Sequence, residues 1–180
     1  MSIFKNHFSK KTNELHEKNG FYYEKGYDKV IFSEPRKITA SFSEEKKLYR
    51  IDDFCFFQND ICVSYFEHIL IDEEEAIITL NHFAVDTDYL FKLNKRDGGF
   101  LSLKEFAKEI KKQLPFVNEI RFNLFQNGTS DKICNFCLSK KRCNLFSRIG
   151  AIDIDLKNKG RWGDGSFHYF AVATWPKSRW

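Results

Sequence analysis

Between Lys47 and Val85 the pattern of apolar and polar residues is that of β-strands. Three such runs follow one another, LYRIDDFCFF, ICVSYFEHILI and AIITLNHFAV, and the turn-like QND and the acidic DEEE separate them. Short connections of this kind join neighbouring strands that run in opposite directions. The pattern therefore predicts three antiparallel strands.

The third run, Ala76–Val85, carries apolar residues at both parities. They are Ile78, Leu80 and Ala84 at one parity, and Ile77, Phe83 and Val85 at the other. Because consecutive side chains of a strand point to opposite faces, we expect this strand to be covered on both sides.

A helical period replaces the strand pattern in LSLKEFAKEIKKQL. Apolar residues recur there at helical spacing with lysines opposite them: Leu103, Phe106, Ala107, Ile110 and Leu114. Pro115 ends this helix, and the alternating VNEIRFNLF after it predicts a strand. Residues 131–148 fit a second helix that stops before Gly150, and AIDIDL and SFHYFAVATW predict two final strands. The order β-β-β-α-β-α-β-β predicts a mixed α/β (α+β) domain with helices against a central sheet.

The N-terminal part of the chain is the hardest to interpret. Residues 5–18 fit a polar helix, and Gly20 lies where a helix would stop. No internal repeat, low-complexity block or linker separates two domains. We therefore expect one domain over residues 1–180, in which residues 1–46 form an N-terminal extension or a first helical region.

Composition narrows the class of protein. The chain has 180 residues, of which 42% are hydrophobic, and only three prolines, as expected of one compact domain. No run approaches the roughly 20 apolar residues of a membrane-spanning helix, and the first twenty residues lack the apolar centre of a signal peptide. We expect a cytoplasmic protein without a membrane partner. The net charge of +4 is too small to indicate a nucleic-acid binder, although it could attract a ligand that carries phosphate.

Five cysteines, an odd number, argue against a secreted disulfide framework. Three of them, Cys134, Cys137 and Cys143, form C-x-x-C-x5-C, the one spacing in the chain that resembles a metal site. A fourth ligand is missing nearby, so we expect core or half-exposed thiols and no metal. The run Lys140–Arg142 between them is expected to be a solvated face.

An Asp-Gly-Gly turn precedes the first predicted helix. Glycine tolerates positive φ, so Gly98 and Gly99 could turn consecutive amide groups toward an anion, and the helix N-terminus adds its dipole. Lys95 and Arg96 could supply positive charge to a pyrophosphate. Asp97, however, would repel phosphate, and Asp-Gly-Gly is also an ordinary turn into a helix. The residues alone leave both interpretations open.

Over about residues 47–175 the chain resembles the GNAT superfamily of acetyl-CoA-dependent N-acyltransferases. The order of elements is similar, and three segments resemble parts of the family. NHFAVDTD resembles its fourth strand, and KRDGGFLSLKEFAKEI resembles its glycine turn and the helix that follows. LFSRIGAIDIDL resembles the end of its later helix. The resemblance implies a mostly antiparallel central sheet flanked by helices, with acetyl-CoA as co-substrate. It also implies a cofactor site in which pantetheine follows the fourth strand and the pyrophosphate lies at the glycine turn: Phe83, Ala84, Val85, Lys95, Arg96, Asp97, Gly98, Gly99 and Phe100.

Acyl transfer to an amine needs a group that accepts the proton of the amine. The fourth strand offers His82, and an imidazole, with an ordinary pKa near 6.5, suits that task. Glu67 on the preceding strand is the second candidate, as a base or as a group that positions water. The alternative for His82 is a hydrogen-bonded core residue. Four residues before Gly150, where the family often has a tyrosine as general acid, this chain has Phe146, which has no proton to give.

Two functions remain open. In the first, the protein moves an acetyl group from acetyl-CoA to an amine on a small molecule, a protein or an aminoacyl-tRNA. In the second, a catalytically inactive GNAT-shaped module binds or inhibits a protein or RNA partner. A homodimer is one assembly that the resemblance allows, and nothing in the sequence identifies the acceptor.

Overall fold

The computed structural model describes residues 27–33, 35–38, 47–52, 54–93, 97–125, 132–161, 163, 165 and 167–180. The strands in these ranges are β1 (Lys29–Phe32), β2 (Arg36–Lys37), β3 (Leu48–Ile51), β4 (Phe54–Gln58), β5 (Ile61–Asp72), β6 (Ile77–Val85), β7 (Glu119–Phe125), β8 (Ile152–Arg161) and β9 (Phe167–Pro176). The helices are α1 (Thr87–Lys92), α2 (Gly98–Gln113) and α3 (Lys132–Ile149), and a 3-10 turn covers Lys177–Arg179.

All of these strands join one sheet in the order β1-β4-β5-β6-β7-β9-β8, with β3 paired to β5 and β2 paired to β3. Each pair is antiparallel except β6 with β7, which is parallel. A parallel pair needs a long crossover, and here the crossover contains α1 and α2. The predicted mixed, mostly antiparallel sheet flanked by helices is therefore confirmed.

The parallel pair is short. Residues 77–80 of β6 pair with residues 119–122 of β7, and the ladder then stops. Both strands continue, because β6 stays paired with β5 as far as Val85 and β7 with β9 as far as Phe125. The two strands therefore separate toward their carboxyl ends. We call the gap between residues 81–85 and residues 123–125 the β6–β7 fork.

Aromatic stacking holds α2 and α3 against the sheet. Phe106 of α2 stacks on Phe66 of β5 with ring centroids 4.4 Å apart, and Phe146 of α3 stacks on Phe122 of β7 at 4.4 Å. All four rings belong to one hydrophobic core and are at most 2% exposed. Burial of such large side chains dominates the stability of a core. These two contacts determine where each helix lies relative to the fork.

Most predicted elements are observed with small shifts of their ends, but the first predicted strand, LYRIDDFCFF, is two strands, β3 and β4, which both pair with β5. The first predicted helix begins at Gly98, and the strand predicted over AIDIDL extends to Arg161. The short α1, in which Asp86 Oδ1 accepts a hydrogen bond from the Tyr89 amide at 2.9 Å, is not predicted, and neither are β1 and β2. Segments of two to six residues are too short to show a period. The helix predicted over residues 5–18 lies outside the described residues.

The second half of β6 differs from the prediction of two covered faces. Leu80 and Phe83 have opposite parity, yet both are buried in the same core, whereas Asn81 and His82 between them are only half-buried. Strict alternation would have put Leu80 and Phe83 on opposite faces of the sheet. The apolar residues at both parities therefore have two origins. Ile77 and Ile78 are adjacent and both buried, which fits two covered faces at the start of the strand, and further along the strand reverses its alternation.

β5 reverses at the same place. Phe66 and Ile69 are buried, and Glu67 and His68 between them are exposed. His68 takes a left-handed φ of +53°, unusual for a residue other than glycine, and Glu67 pairs in register with His82 of β6. We call Glu67 and His68 with the two half-buried residues of β6, Asn81 and His82, the paired reversal. It places four polar residues outside the core where the fork begins.

Tyr27 anchors the start of the described chain to α2. Its hydroxyl lies 2.5 Å from the Oγ atom of Ser102, a fully buried residue, and its ring lies 4.8 Å from that of Phe56. Burial raises the pKa of Tyr27 to about 12, against a smaller lowering by the Ser102 hydrogen bond. Folding therefore favours the neutral phenol.

Alkaline pH should weaken this anchor. A tyrosine ionises near pH 10 in an unfolded chain and Tyr27 near 12 in the folded one, so its contribution is complete below pH 10 and is lost as the pH rises toward 12. Relative to Tyr27→Phe, the free energy of unfolding of the unmodified protein should fall by up to about 3 kcal/mol across that range. Urea unfolding of both proteins between about pH 9 and about pH 12 measures this difference. If the free energy of unfolding falls equally with pH in the unmodified protein and in Tyr27→Phe, the prediction is wrong.

Candidate active site

A pocket of about 430 Å³ lies beside the carboxyl end of β6. The lining residues come from α1, the first turn of α2, and α3: Thr87, Phe91, Asp97, Gly98, Gly99, Phe100, Leu145 and Arg148. Val85 at the end of β6 approaches Gly98 closely, since a Cβ atom on Gly98 would lie 3.1 Å from Val85 Cγ1. The open end of the fork, at Val85, is therefore adjacent to the pocket. Four predicted cofactor residues, 97–100, meet in this pocket, whereas Lys95 and Arg96 lie outside the described residues.

The two glycines have a different role from the predicted one. Gly98 and Gly99 are the first residues of α2, and the positive φ expected of them belongs instead to Asp97, at +61°. A Cβ atom on Gly98 would lie 2.6 Å from Leu90 Cδ1, and one on Gly99 would lie 3.1 Å from Leu145 Cδ2. Close approach of α1 to the start of α2 therefore requires Gly98, whereas the contact of Gly99 is with a leucine of α3 that can move. Neither glycine has an unusual backbone conformation.

Asp97, expected to repel phosphate, has a cationic partner. Arg148 Nη1 lies 3.1 Å from Asp97 Oδ1, and the guanidinium carbon lies 5.3 Å from the centroid of the Phe100 ring. Both charged side chains are about half exposed, at 52% and 56%, so water screens the pair and its partners can exchange. Sequence reasoning missed Arg148, because nothing local signals a contact with a residue 51 positions away.

A second arginine of α3 reaches the far side of the fork. Arg142 Nη1 donates to the Leu124 carbonyl of β7 at 3.4 Å, and burial lowers the pKa of this guanidinium. No carboxylate of the described chain forms an ion pair with Arg142. The solvated face predicted for residues 140–142 is therefore correct for the exposed Lys140 and Lys141 and wrong for Arg142.

The two predicted catalytic residues lie side by side in the paired reversal. His82 Nδ1 is 3.0 Å from Glu67 Oε2, with the side chains 30% and 49% exposed. The separation is that of an ion pair, but the atoms are not aligned for a hydrogen bond, since Nδ1 has no such partner among the described residues. The Tyr65 ring lies 5.7 Å from the imidazole. A partly exposed imidazole facing a carboxylate can accept a proton at its other nitrogen.

The remaining predicted residues occupy the edge of the fork and the core. Phe83 is 6% exposed and stacks on Phe66, while Ala84 and Val85 are half-buried on the edge of β6 that faces the fork. Phe146 is fully buried in its stack with Phe122, so its ring is a packing element.

Two of the three clustered cysteines have described side chains. Cys137 is exposed and Cys143 is half-buried, and burial is the main cause that raises the pKa of the Cys143 thiol. The side chain of Cys134 lies outside the described part. Within that part, no three His, Cys, Asp or Glu residues form a group able to hold a metal ion. None of the described helices has the length and hydropathy that crossing a membrane requires.

The sequence matches no protein-family model and no curated protein. Solved structures of similar fold include a probable acetyltransferase, 10% identical with a TM-score of 0.47, which aligns over 71% of this chain and 63% of its own. The ribosomal-protein-S18-alanine N-acetyltransferase from Escherichia coli is 16% identical, with a TM-score of 0.40 over 74% of this chain and 70% of its own. A GNAT-family acetyltransferase from Streptococcus pneumoniae is 13% identical, with a TM-score of 0.45 over 76% and 69%. Scores and identities this low say nothing of substrate or activity.

The two glycines should tolerate alanine differently. Gly98→Ala should lower the free energy of unfolding by about 1–3 kcal/mol, because its Cβ atom would overlap a fully buried leucine. At Gly99 the neighbour is a half-buried leucine that can move, and alanine favours a helix by about 1 kcal/mol. Gly99→Ala should therefore change stability by less than about 1 kcal/mol. Urea unfolding of both variants tests this, and equal losses would mean that close approach is not what requires Gly98.

Proposed function

We propose that this protein is an N-acyltransferase that moves an acetyl group from acetyl-CoA to an amine. The β6–β7 fork is the observation that carries the proposal. Two strand edges face each other there without a ladder between them in the described chain, and the gap leads to a pocket at the start of a helix. An extended ligand with amide groups can add to such an edge as a strand would. Pantetheine has that form, and we assign it to the edge at Phe83–Val85.

The pyrophosphate is assigned to the pocket at residues 97–100. Its phosphates would meet the amide groups that begin α2 and the guanidinium of Arg148. Arg142, half-buried and without an ion pair among the described residues, provides a second positive charge beside the fork. Partial burial of a cation is costly without an anionic partner, so an anionic ligand beside Arg142 would be stabilised. Lys95 and Arg96 remain predicted partners of the same phosphates.

The chemistry is assigned to the vertex of the fork, the point where the β6–β7 ladder ends, because His82 and Glu67 lie there. The amine nitrogen attacks the thioester carbon and forms the amide bond, while His82 Nε2 accepts a proton of the amine. The carbon–sulfur bond breaks, and the sulfur leaves as a thiolate that takes up a proton to give free CoA. Glu67, facing Nδ1 at 3.0 Å, stabilises the imidazolium that forms. The acceptor is an amine whose carrier, a small molecule, a protein or an aminoacyl-tRNA, stays open.

Binding of CoA is the first test. Calorimetry and thermal unfolding should both detect CoA and acetyl-CoA, because a ligand that binds only the folded state stabilises it, by about 2.7 kcal/mol at a hundredfold excess over Kd. Arg148→Ala should weaken the affinity for CoA by about threefold to tenfold, because it removes a cation that meets the phosphates and leaves the Asp97 charge uncompensated beside them. In an Asp97→Asn background the same change should cost less. Lys111→Ala, which removes a positive charge at the other end of α2, is the control.

Absence of both heat and thermal shift with either ligand would overturn the proposal and favour the inactive binding module. An equal loss from Arg148→Ala in both backgrounds would mean that direct contact of Arg148 with the phosphates accounts for the whole effect and that compensation of Asp97 has no part in it.

Turnover is the second test. With a panel of amines and detection of released thiol, His82→Asn should lower kcat by about 10²–10⁴-fold and leave the affinity for CoA unchanged. Glu67→Gln should lower kcat less, because it removes only the charge that stabilises the imidazolium. His68→Asn is the matched control: its side chain contacts Arg50 and not His82, and asparagine tolerates left-handed backbone. If His68→Asn lowers kcat as much as His82→Asn does, the assignment of the base fails.

A further inference from the structure

We propose that Asn81 is a positioning residue that holds Glu67 and His82 together at the vertex of the fork. Its Nδ2 atom donates to the backbone carbonyl of His68 at 3.0 Å, and its Oδ1 atom accepts from Asn123 Nδ2 at 3.5 Å. One side chain therefore links β5, β6 and β7 beside the last parallel pair, Leu80 with Phe122. The catalytic meaning of this link rests on the proposed function, whereas the link between the strands does not.

The paired reversal needs such a link. With regular alternation, one of Leu80 and Phe83 would leave the core and a polar neighbour, Asn81 or His82, would enter it, although both apolar residues are buried and belong to one cluster. β5 accommodates the change through the left-handed backbone of His68, a conformation that a residue with a Cβ atom adopts rarely. The Asn81 amide bonds the carbonyl of that residue. It thereby fixes β5 to β6 one position from the register pair of Glu67 with His82.

The second contact of Asn81 acts across the fork. β6 and β7 exchange no ladder contacts beyond Leu80 and Phe122 in the described chain, and Asn81 and Asn123 are the next residues on the two strands. Their side chains join where the backbone pairing ends. The position of this junction determines where the fork begins, and hence the distance between a ligand in the fork and His82. Displacement of a reacting group by about 1 Å can lower a rate on the order of a hundredfold.

Two variants separate the contacts of Asn81. Asn81→Asp keeps the shape and the acceptor for Asn123 but loses the amide that donates to the His68 carbonyl. Asn123→Ala removes the contact across the fork and leaves the His68 contact intact. Asn81→Ala removes both contacts. If Asn81→Ala fails to fold, Asn81→Asp alone is used for the test.

The first readout is the coupling between Glu67 and His82, independent of any activity. A double-mutant cycle of Glu67→Gln and His82→Asn, measured as urea midpoints at a pH where histidine is charged, gives this coupling. We expect it in the unmodified protein and in Asn123→Ala, and we expect its loss in Asn81→Asp and Asn81→Ala. If the coupling persists in both Asn81 variants, Asn81 does not position the pair.

The second readout is turnover. Asn81→Asp should lower kcat on the order of a hundredfold, with little change in the Kd for acetyl-CoA. A lowered urea midpoint with unchanged kcat per folded molecule would show a purely structural residue and would overturn the inference. If the unmodified protein has no transferase activity, the proposed function fails, and the coupling cycle still decides whether Asn81 holds Glu67 and His82 together.

Discussion

The parallel ladder between β6 and β7 lasts for four residues, and the rest of the candidate site depends on where it stops. Both strands keep their outer partners, β5 and β9, beyond that point, so the sheet stays intact while two inner edges separate. Backbone amide and carbonyl groups on such edges need partners, and an extended ligand can supply them. A continuous ladder to Val85 and Phe125 would leave no opening in the middle of the sheet.

Packing against the helices determines what surrounds this opening. The stacks of Phe66 with Phe106 and of Phe122 with Phe146 hold α2 and α3 at the sheet, and Gly98 lets α2 begin in contact with α1 and β6. Phe146 shows how packing limits chemistry. The position where the resemblance suggests a tyrosine acid is filled by a ring that is fully buried in the core, so in the proposed reaction the thiolate would take its proton from another source.

The charged groups fall into two sets that differ in their surroundings. Arg148 and Asp97 lie about half exposed at the pocket, where water screens them and their partners can exchange. Glu67 and His82 lie at the vertex, where the paired reversal holds two polar side chains beside each other outside the core. A ligand with a highly charged end and a reactive carbonyl at the other end would meet groups suited to each.

The residue pattern by itself determined the order of the main strands and helices, because periods of 2 and 3.6 residues persist over segments such as residues 118–124 and 101–114. It also indicated Gly98, Gly99, Glu67 and His82 as candidates, since their chemistry is visible in single residues. The tertiary structure alone decided that β6 leaves β7 after Leu80, that Arg148 compensates Asp97, and that Asn81 links three strands. Those features depend on contacts between residues distant in sequence and on a reversal of alternation that no local period records. The pattern of apolar residues at both parities of β6 is the one trace that the reversal leaves in the sequence, and only the packing of Leu80 and Phe83 into a single core reveals its cause.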